Sequence, residues 1–435
     1  MTAEPSGGFK GTGHDWLPAV PVSWSMMPAK ALFSDRREAS ATEDEHLTPS
    51  QKYGVVTQAE YMEITGTRVV LNLAGADTMK RVRPGDFVIH LRSFQGGIER
   101  SAVAGKVSLA YTVLTPRALV HGPFFRWLLK SDRYVQALRV TVNQLRDGQS
   151  IRYQDFGKIH LPVPSLPEQR AIADYLDRET AKIDALIEKQ TKLIDRLRER
   201  RSQLRGNLVM ARSHTARETT NYWFGSIPEH WSTPRLSHKA SVVLGRMINA
   251  AAAGDDDVQL PYLAAGSIQP DALVLDDSKT LAVPAREVSK YELRAADVVV
   301  VEGGAGYGRS HVLPEGIPGW AFQNHVARVR ARKDDVDTRY IRAVLEMCRL
   351  SGFFEANNRT ATLPSLSREV LGALRIPCPP VDEQREIADH LDRETAKIDA
   401  LIAKAERFTE LARERRSALV TAAVTGQIDV TKGAA

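Results

Sequence analysis

Cysteine is scarce in this chain. Only Cys348 and Cys378 occur in 435 residues, with no Cys-x-x-Cys or Cys/His grouping. A disulfide framework or zinc site is therefore not expected, and a reducing, cytoplasmic setting fits. Long apolar runs are missing as well: no stretch approaches the ~20 residues needed to cross a bilayer, so no membrane role is expected. Met1–His14 is polar and glycine-rich and lacks the apolar core of a signal peptide, which predicts a flexible tail over 1–13.

Catalytic signatures are absent too. There is no Asn/Asp-Pro-Pro-Tyr/Phe segment, no Gly-x-Ser-x-Gly and no His-Glu-x-x-His, and the eleven histidines are scattered. His325 and His390 read as surface or interface residues rather than ligands. Gly303–Ser310 nearly spells a phosphate loop, but Arg309 stands where a lysine would reach the phosphates. His311–Gly316 is a poor helix start, so the anion-binding helix N-terminus is missing. Asp271 with Asp277-Ser278-Lys279 faintly imitates a metal-nuclease set, but turn-forming residues surround it and a loop is the better reading. The chain is expected to be non-catalytic and to hold no metal or cofactor of its own.

Positive charge is present in excess, at a net +6 and a pI near 9.2. It is unevenly placed. Ser50–His160 holds 16 Lys+Arg against 8 Asp+Glu, whereas Ser241–Arg375 holds 16 against 17. A basic first half suits a polyanion, since dense Lys and Arg are what nucleic-acid phosphates reward.

One stretch occurs twice. Glu168–Ile187 returns as Glu383–Ile402 with 18 of 20 positions identical, the exceptions being Ala171/Glu386 and Tyr175/His390. Arg198–Ser202 recurs as Arg413–Ser417. Upstream, Trp16–Trp24 pairs with Trp223–Trp231, Arg83–Ile89 with Arg294–Val300, and Leu161–Pro164 with Ile376–Pro379. The offset grows from 207 to 215, so the second variable region carries about eight more residues.

Each half thus runs from a Trp-Pro-Trp entry through a variable domain to a Pro-x-Pro stop and a long helix. Prolines block helix upstream of each repeat, and Pro167 or Asp382 suits a first turn. Leu176, Ile183, Gln190, Leu197 and Leu204 fall seven apart, with Ile187 and Ile194 beside them, as in a coiled-coil seam. The copy, Leu391, Ile398, Ala405, Ala412 and Leu419 with Ile402, is richer in alanine; Gly206 and Gly426 suit the stops. In the variable regions Phe87–Leu91, Val103–Val113, Leu273–Leu275 and Asp297–Val301 read as strands. Pro123–Leu138 and Thr338–Phe354 read as helices.

The expected fold class is α+β: two domains separated by two long helices forming an antiparallel coiled coil, with an internal pseudo-two-fold duplication. The boundaries are a tail over 1–13, a first domain over 14–165, a helix over 166–212, a second domain over 213–380, a helix over 381–425 and a tail over 426–435. Duplicated helices suit duplicated partners, and divergent domains suit an asymmetric target.

The shared helix string after its Pro-x-Pro closely resembles the helical regions of specificity subunits of Type I restriction–modification systems. Gly225–Trp231 resembles the usual opening of a target recognition domain, and Thr425–Asp429 the usual end. Trp16–Trp24 departs from the pattern, with Ala-Val-Pro-Val-Ser where the second copy has Ser-Ile-Pro-Glu-His.

The resemblance implies two target recognition domains, each reading half of a bipartite, asymmetric double-stranded DNA site. It implies that the helices set the spacer and dock two methyltransferase (modification) subunits, which two restriction (motor/nuclease) subunits join where the system has them. S-adenosylmethionine would belong to the methyltransferase partner, and ATP and Mg to the motor/nuclease partner. The alternative is a coiled-coil DNA-binding scaffold, or a solitary specificity protein without restriction activity.

Direct readout needs Arg, Lys, Asn and Gln at base edges, with other basic groups on phosphates. The first-domain candidates are Lys80, Arg81, Arg92, Gln95, Arg100, Asn143, Gln144 and Arg146. Those of the second are Tyr307, Arg309, Asn324, Asn358, Arg359 and Thr360. For partner docking, exposed repeat positions are expected: Gln169, Arg170, Arg178 and Lys182, with their copies Gln384, Arg385, Arg393 and Lys397.

Overall fold

The computed structural model describes residues 8–67, 79–91, 93–141, 151–208, 216–218, 226–248, 256–270, 272–357 and 365–430. The chain divides into two units. One comprises Met1–Thr191 with Arg407–Ala435, the other Lys192–Glu406. The division differs from a linear series of domains, because each unit takes one variable domain and a portion of both long helices.

The first long helix runs Leu166–Leu208 and the second Val381–Val424. Before the first, His160–Val163 is extended and pairs with Ser25–Pro28, so the prolines sit in strand rather than helix. Ser165 then starts the helix, its Oγ accepting from the Glu168 N–H at 3.4 Å and its carbonyl from Gln169 N–H at 2.8 Å. Pro167 lies in the first turn, where its missing N–H costs nothing. Asp382 and Glu383 occupy the first turn of the second helix, where negative charge meets the positive end of the helix dipole. Gly206 does not stop the first helix, which continues to Leu208. Gly426 does end the second: at φ 75° it lets Gln427 N–H reach the Ala422 carbonyl at 2.8 Å and its own N–H reach Ala423 at 3.2 Å.

Within the second unit the helices pair antiparallel. Arg198 meets Glu406 at 2.8 Å and Arg201 meets Asp399 at 2.6 Å, so advancing along one helix retreats along the other. Ile194, Leu197, Ile398, Ile402 and Ala405 are buried between them with Leu204 against the edge. Each fully buried Leu or Ile contributes roughly 1.5–3 kcal/mol of transfer free energy. Stripe positions near the helix starts pack on the variable domains: Leu176 lies in the first unit's core with Val420 and Ala423, and Leu391 in the second unit's core.

The variable domains share one sheet plan. In the first unit four strands lie in the order Phe33–Asp35, Thr112–Pro116, Phe87–Ile89, Glu99–Arg100. In the second the order is Ala240–Leu244, Val326–Ala331, Val298–Val301, Ser310–Val312. Every adjacent pair in both sheets is antiparallel. In both, a buried aspartate follows a turn and holds an arginine through two oxygens. Asp86 pairs with Arg36 at 2.7 and 3.0 Å, and Asp297 with Arg330 at 2.6 and 2.6 Å. The arginine comes from the segment after the edge strand in one unit and from the middle strand in the other. Burial of the carboxylate is kept while its partner is exchanged.

Several sequence expectations need correction. Phe9–His14 is a strand paired with Leu17–Pro21, not a flexible tail, because Leu17 and Val20 anchor that hairpin in the core. Residues 426–430 are not a free tail either: Ile428 and Val430 pack on the first core. Leu273–Leu275 forms no strand, only a bridge from Leu273 to Ile268, and Val274 and Leu275 are exposed. Each long helical segment is two helices. Gly122–Leu128 and Asp132–Thr141 are separated by Ser131, whose hydroxyl bonds the Leu128 carbonyl. Thr338–Leu350 and Phe353–Asn357 are separated by Gly352 at φ 73°.

Candidate nucleic-acid interface

In the second unit Leu244 pairs with Ala327 and Val301 with Val326, so three strand ends lie at one edge of the sheet. That edge carries the loops 245–248, 302–309 and 323–325. Gly245 is required there, since a Cβ would sit 2.1 Å from the Gln323 carbonyl oxygen. Arg246 is tethered below, its Nε donating to the Ala282 carbonyl at 2.8 Å and its NH1 lying 3.3 Å from Glu287. Met247 and Ile248 then project outward, at 69% and 46% exposure.

Glu302 ties the loops 302–309 and 323–325 to the segment at 365–366. Its carboxylate meets His325 Nδ1 at 3.2 Å and accepts from the Ser365 hydroxyl; its backbone N–H donates to the His325 carbonyl and its own carbonyl accepts from Leu366. The glycine-rich segment makes a single 3-10 turn, Gly304–Gly306, and enters the strand Ser310–Val312, so no phosphate-binding helix follows.

Of the second-domain candidates, Tyr307, Arg309 and Asn324 lie on these loops. Tyr307 is an anchor rather than a free reader: its hydroxyl donates to the Phe354 carbonyl at 3.3 Å and its ring meets the Phe354 edge. Arg309 and Asn324 are half-buried, and their side chains bond no described residue. They are among the polar groups this edge presents, beside the exposed His325. Asn358, Arg359 and Thr360 lie outside the described residues.

The corresponding edge of the first unit is where Ile89 meets Thr112. It carries the turn Ser93–Gly96, on which Gln95 is exposed. Gly97 at φ 90° brings that turn against the Leu129 carbonyl, 2.3 Å from where a Cβ would stand. Lys80 reaches this edge but is tied down, its Nζ donating to the Tyr111 carbonyl at 2.6 Å. Arg81 lies 3.3 Å from Glu38 and 3.5 Å from Asp44. Glu38 also pairs with Arg83 and Arg36, and those hydrogen bonds, Arg83's first, hold its carboxyl below the ordinary value. Part of the first half's basic excess is thus spent on internal pairs.

Arg100 is elsewhere. It pairs with Phe87 in the ladder, at the opposite end from Gln95, and its Nε is buried with no hydrogen-bond partner among the described residues. Burial, then the neighbouring Arg126, lowers its pKa. Arg92, Asn143, Gln144 and Arg146 lie outside the described residues.

On the repeated helices the docking set separates in two. Gln169 and Gln384 are not exposed, as expected from sequence, but wholly buried. Gln169 accepts from His121 N–H at 2.8 Å and donates to the carbonyls of Leu119 at 3.0 Å and Pro164 at 2.9 Å. Gln384 accepts from Asp337 N–H at 3.0 Å and donates to Pro379 at 2.8 Å. Each side chain satisfies backbone groups both of the turn into its own helix and of the segment that precedes Gly122–Leu128 or Thr338–Leu350, which is why both copies keep it inside. Arg170, Arg178, Lys182, Arg385, Arg393 and Lys397 are exposed. Lys182 and Lys397 make matching pairs with Glu179 at 2.8 Å and Glu394 at 2.7 Å, Arg178 bonds Glu179 and Arg385 bonds Asp382.

Sequence reasoning missed Glu302, Arg246 and the outward Met247 and Ile248. No local pattern marks them, because their role comes from loops meeting at a sheet edge. Among the described residues no group of His, Cys, Asp and Glu is placed to hold a metal, and no helix is long and apolar enough to cross a membrane.

Residues 228–407 match the family described as the Type I restriction modification DNA specificity domain. The chain is 29% identical over 110 residues to the EcoBI specificity subunit of Escherichia coli, covering 25% of this chain and 22% of that protein. It is 22% identical over 190 residues to the EcoKI specificity subunit of Escherichia coli strain K12, covering 43% and 39%. The matched part therefore spans less than half the length of either curated relative.

Among solved structures, the HsdS subunit from Thermoanaerobacter tengcongensis shares the fold at a TM-score of 0.56 and 15% identity, over 94% of this chain and 98% of that one. A chain from a study of complex assembly and conformational transition in a type I R-M system shares it at a TM-score of 0.65 and 15% identity, over 94% and 99%.

Proposed function

We infer the function from the premise that the chain belongs to the specificity-subunit family of Type I restriction–modification systems. Each variable domain reads one half of a bipartite, asymmetric DNA site. The long helices set the spacer between half-sites and dock two methyltransferase subunits through their exposed repeat positions. The chain itself supplies recognition and no chemistry. S-adenosylmethionine belongs to the methyltransferase partner, and ATP and Mg to a motor/nuclease partner where the system has one.

The observation that carries this reading is the shared sheet plan with unlike loops at the same edge. One edge offers Gln95, the other Arg309, Asn324, Met247 and Ile248. A common scaffold with different donors and apolar groups suits two different base sequences, since direct readout depends on which groups reach the base edges. Nearly identical helices suit two copies of one partner. Having both readers in one chain frees the target from palindromy, while spacing between modules still fixes spacing between half-sites.

The test is modified-base sequencing of DNA from cells co-expressing this chain with its neighbouring methyltransferase. Methyladenine in a split, asymmetric motif that disappears when the chain is deleted is the expected result. Absence of methylation despite a stable complex of the two proteins would overturn the reading in favour of a scaffold.

A further inference from the structure

The two units differ sharply at one matched place. Phe124-Phe125-Arg126-Trp127-Leu128-Leu129-Lys130 aligns with Tyr340-Ile341-Arg342-Ala343-Val344-Leu345-Glu346. Both segments follow a backbone N–H, of His121 or Asp337, that bonds the buried glutamine of a long helix. Trp127 therefore corresponds to Ala343.

In the first unit the Trp127 indole lies against the long helices. Its Nε1 donates to Asp177 Oδ1 at 2.7 Å, and the Arg416 guanidinium stands 5.5 Å from the ring centroid while pairing with Asp184 at 2.8 Å. The counterparts in the second unit are Asp392, Arg201 and Asp399. Arg201 and Asp399 keep the pair, at 2.6 Å. The indole is missing, Arg339 rather than the counterpart of Arg126 bonds the aspartate, and a cavity of about 470 Å³ is found there, lined among others by Ala343, Ala388, Leu391 and Asp392 and by the charged Arg342 and Glu346.

We propose that this cavity is a binding site for a planar aromatic molecule bearing an N–H donor, of the indole class, in the place that Trp127 takes in the other unit. Ala343, Ala388 and Leu391 supply apolar wall for the ring. Asp392 supplies the acceptor: Oδ2 takes a hydrogen bond from Arg339 at 3.2 Å, and Oδ1 bonds no described residue. Free indole and the tryptophan side chain of a partner share the recognised chemistry.

Isothermal titration of the full chain with indole, and separately with N-acetyltryptophanamide, tests the assignment. Saturable binding of indole is expected. Ala343→Trp, with an unchanged circular dichroism spectrum, is expected to weaken it at least ~10-fold, equivalent to ~1.4 kcal/mol. Should that variant not fold, Ala343→Leu, which fills the cavity in part, serves in its place. Trp127→Ala opens the matching place in the other unit and is expected to add a second site. Comparable binding of N-acetyltryptophanamide assigns the site to a protein side chain, and binding of indole alone assigns it to a free molecule. No saturable heat with either probe, or affinity unchanged in a folded Ala343 variant, would overturn the proposal.

Discussion

The indole N–H of Trp24 donates to Oε1 of Glu168 at 2.8 Å, joining the entry of the first variable domain to the first turn of the first long helix. The relation recurs between Trp231 and Glu383 at 3.0 Å. Residues 144 and 152 apart are thus brought to the same bond in two otherwise unlike domains. The tryptophans are nearly inaccessible, so a buried aromatic with its polar bond helps fix each domain to its helix.

The buried glutamines one residue further on should be the more costly to lose. Gln169→Leu leaves the His121 N–H and the Leu119 and Pro164 carbonyls without their partner. Leaving buried polar groups unpaired costs ~1–3 kcal/mol each, so destabilisation of at least ~2 kcal/mol is expected in urea unfolding. Gln384→Leu should behave alike. Exposed Arg170→Ala should leave stability within ~0.5 kcal/mol of the parent.

If each unit reads one half-site, as proposed, Arg309→Ala and Asn324→Ala are expected to relax specificity in one half-site and leave the other intact. A lost base contact typically costs ~1–3 kcal/mol of discrimination. Modified-base sequencing of the two variants reads this directly. Relaxation of both half-sites, or of neither, would remove these residues from the interface.

Ala296 holds φ 62°, where its counterpart Gly85 holds φ 96°. A Cβ in this left-handed region costs ~1–2 kcal/mol, offset in part by the greater unfolded-state freedom of glycine. Ala296→Gly is therefore expected to raise stability by roughly 0.5–1 kcal/mol, and Gly85→Ala to lower it. Thermal unfolding of both variants would show opposite shifts.

Burial of His311, then the nearby Arg342, lowers its pKa from the ordinary 6.5. The folded state thus binds fewer protons than the unfolded one between the depressed value and 6.5. The resulting stability is fully present above 6.5 and is lost as pH falls through the folded value. His311→Gln should flatten that acid-side slope in urea midpoints measured as pH is lowered from 7, with no change in slope above it. An unaltered slope would show that His311 is not the group responsible.

Much of this architecture is written in the chain because helices advertise themselves locally. The duplicated string, the prolines before it and the seven-residue spacing depend on neighbours within one or two turns, and the helices Leu166–Leu208 and Val381–Val424 follow from them. Strands were legible where β-branched residues run together, as at Val298–Val301. The same reasoning misplaced Leu273–Leu275, where apolar residues meet solvent. It also placed Gln169 and Gln384 on the surface, since a polar residue in a helical repeat carries no local mark of burial.

The sequence by itself determined the duplication, the helices, the apolar seam and the absence of catalytic motifs, all of which are properties of residue order and spacing. Only the tertiary structure decided which polar side chains are free. Lys80, Arg81 and Tyr307 are bound to partners far along the chain, Arg309 and Asn324 bond no side-chain partner among the described residues, and Glu302 joins its own loop to His325 and Ser365. Hydrogen bonds and ion pairs form between atoms that the fold brings within about 3 Å, and separation along the sequence does not encode that distance.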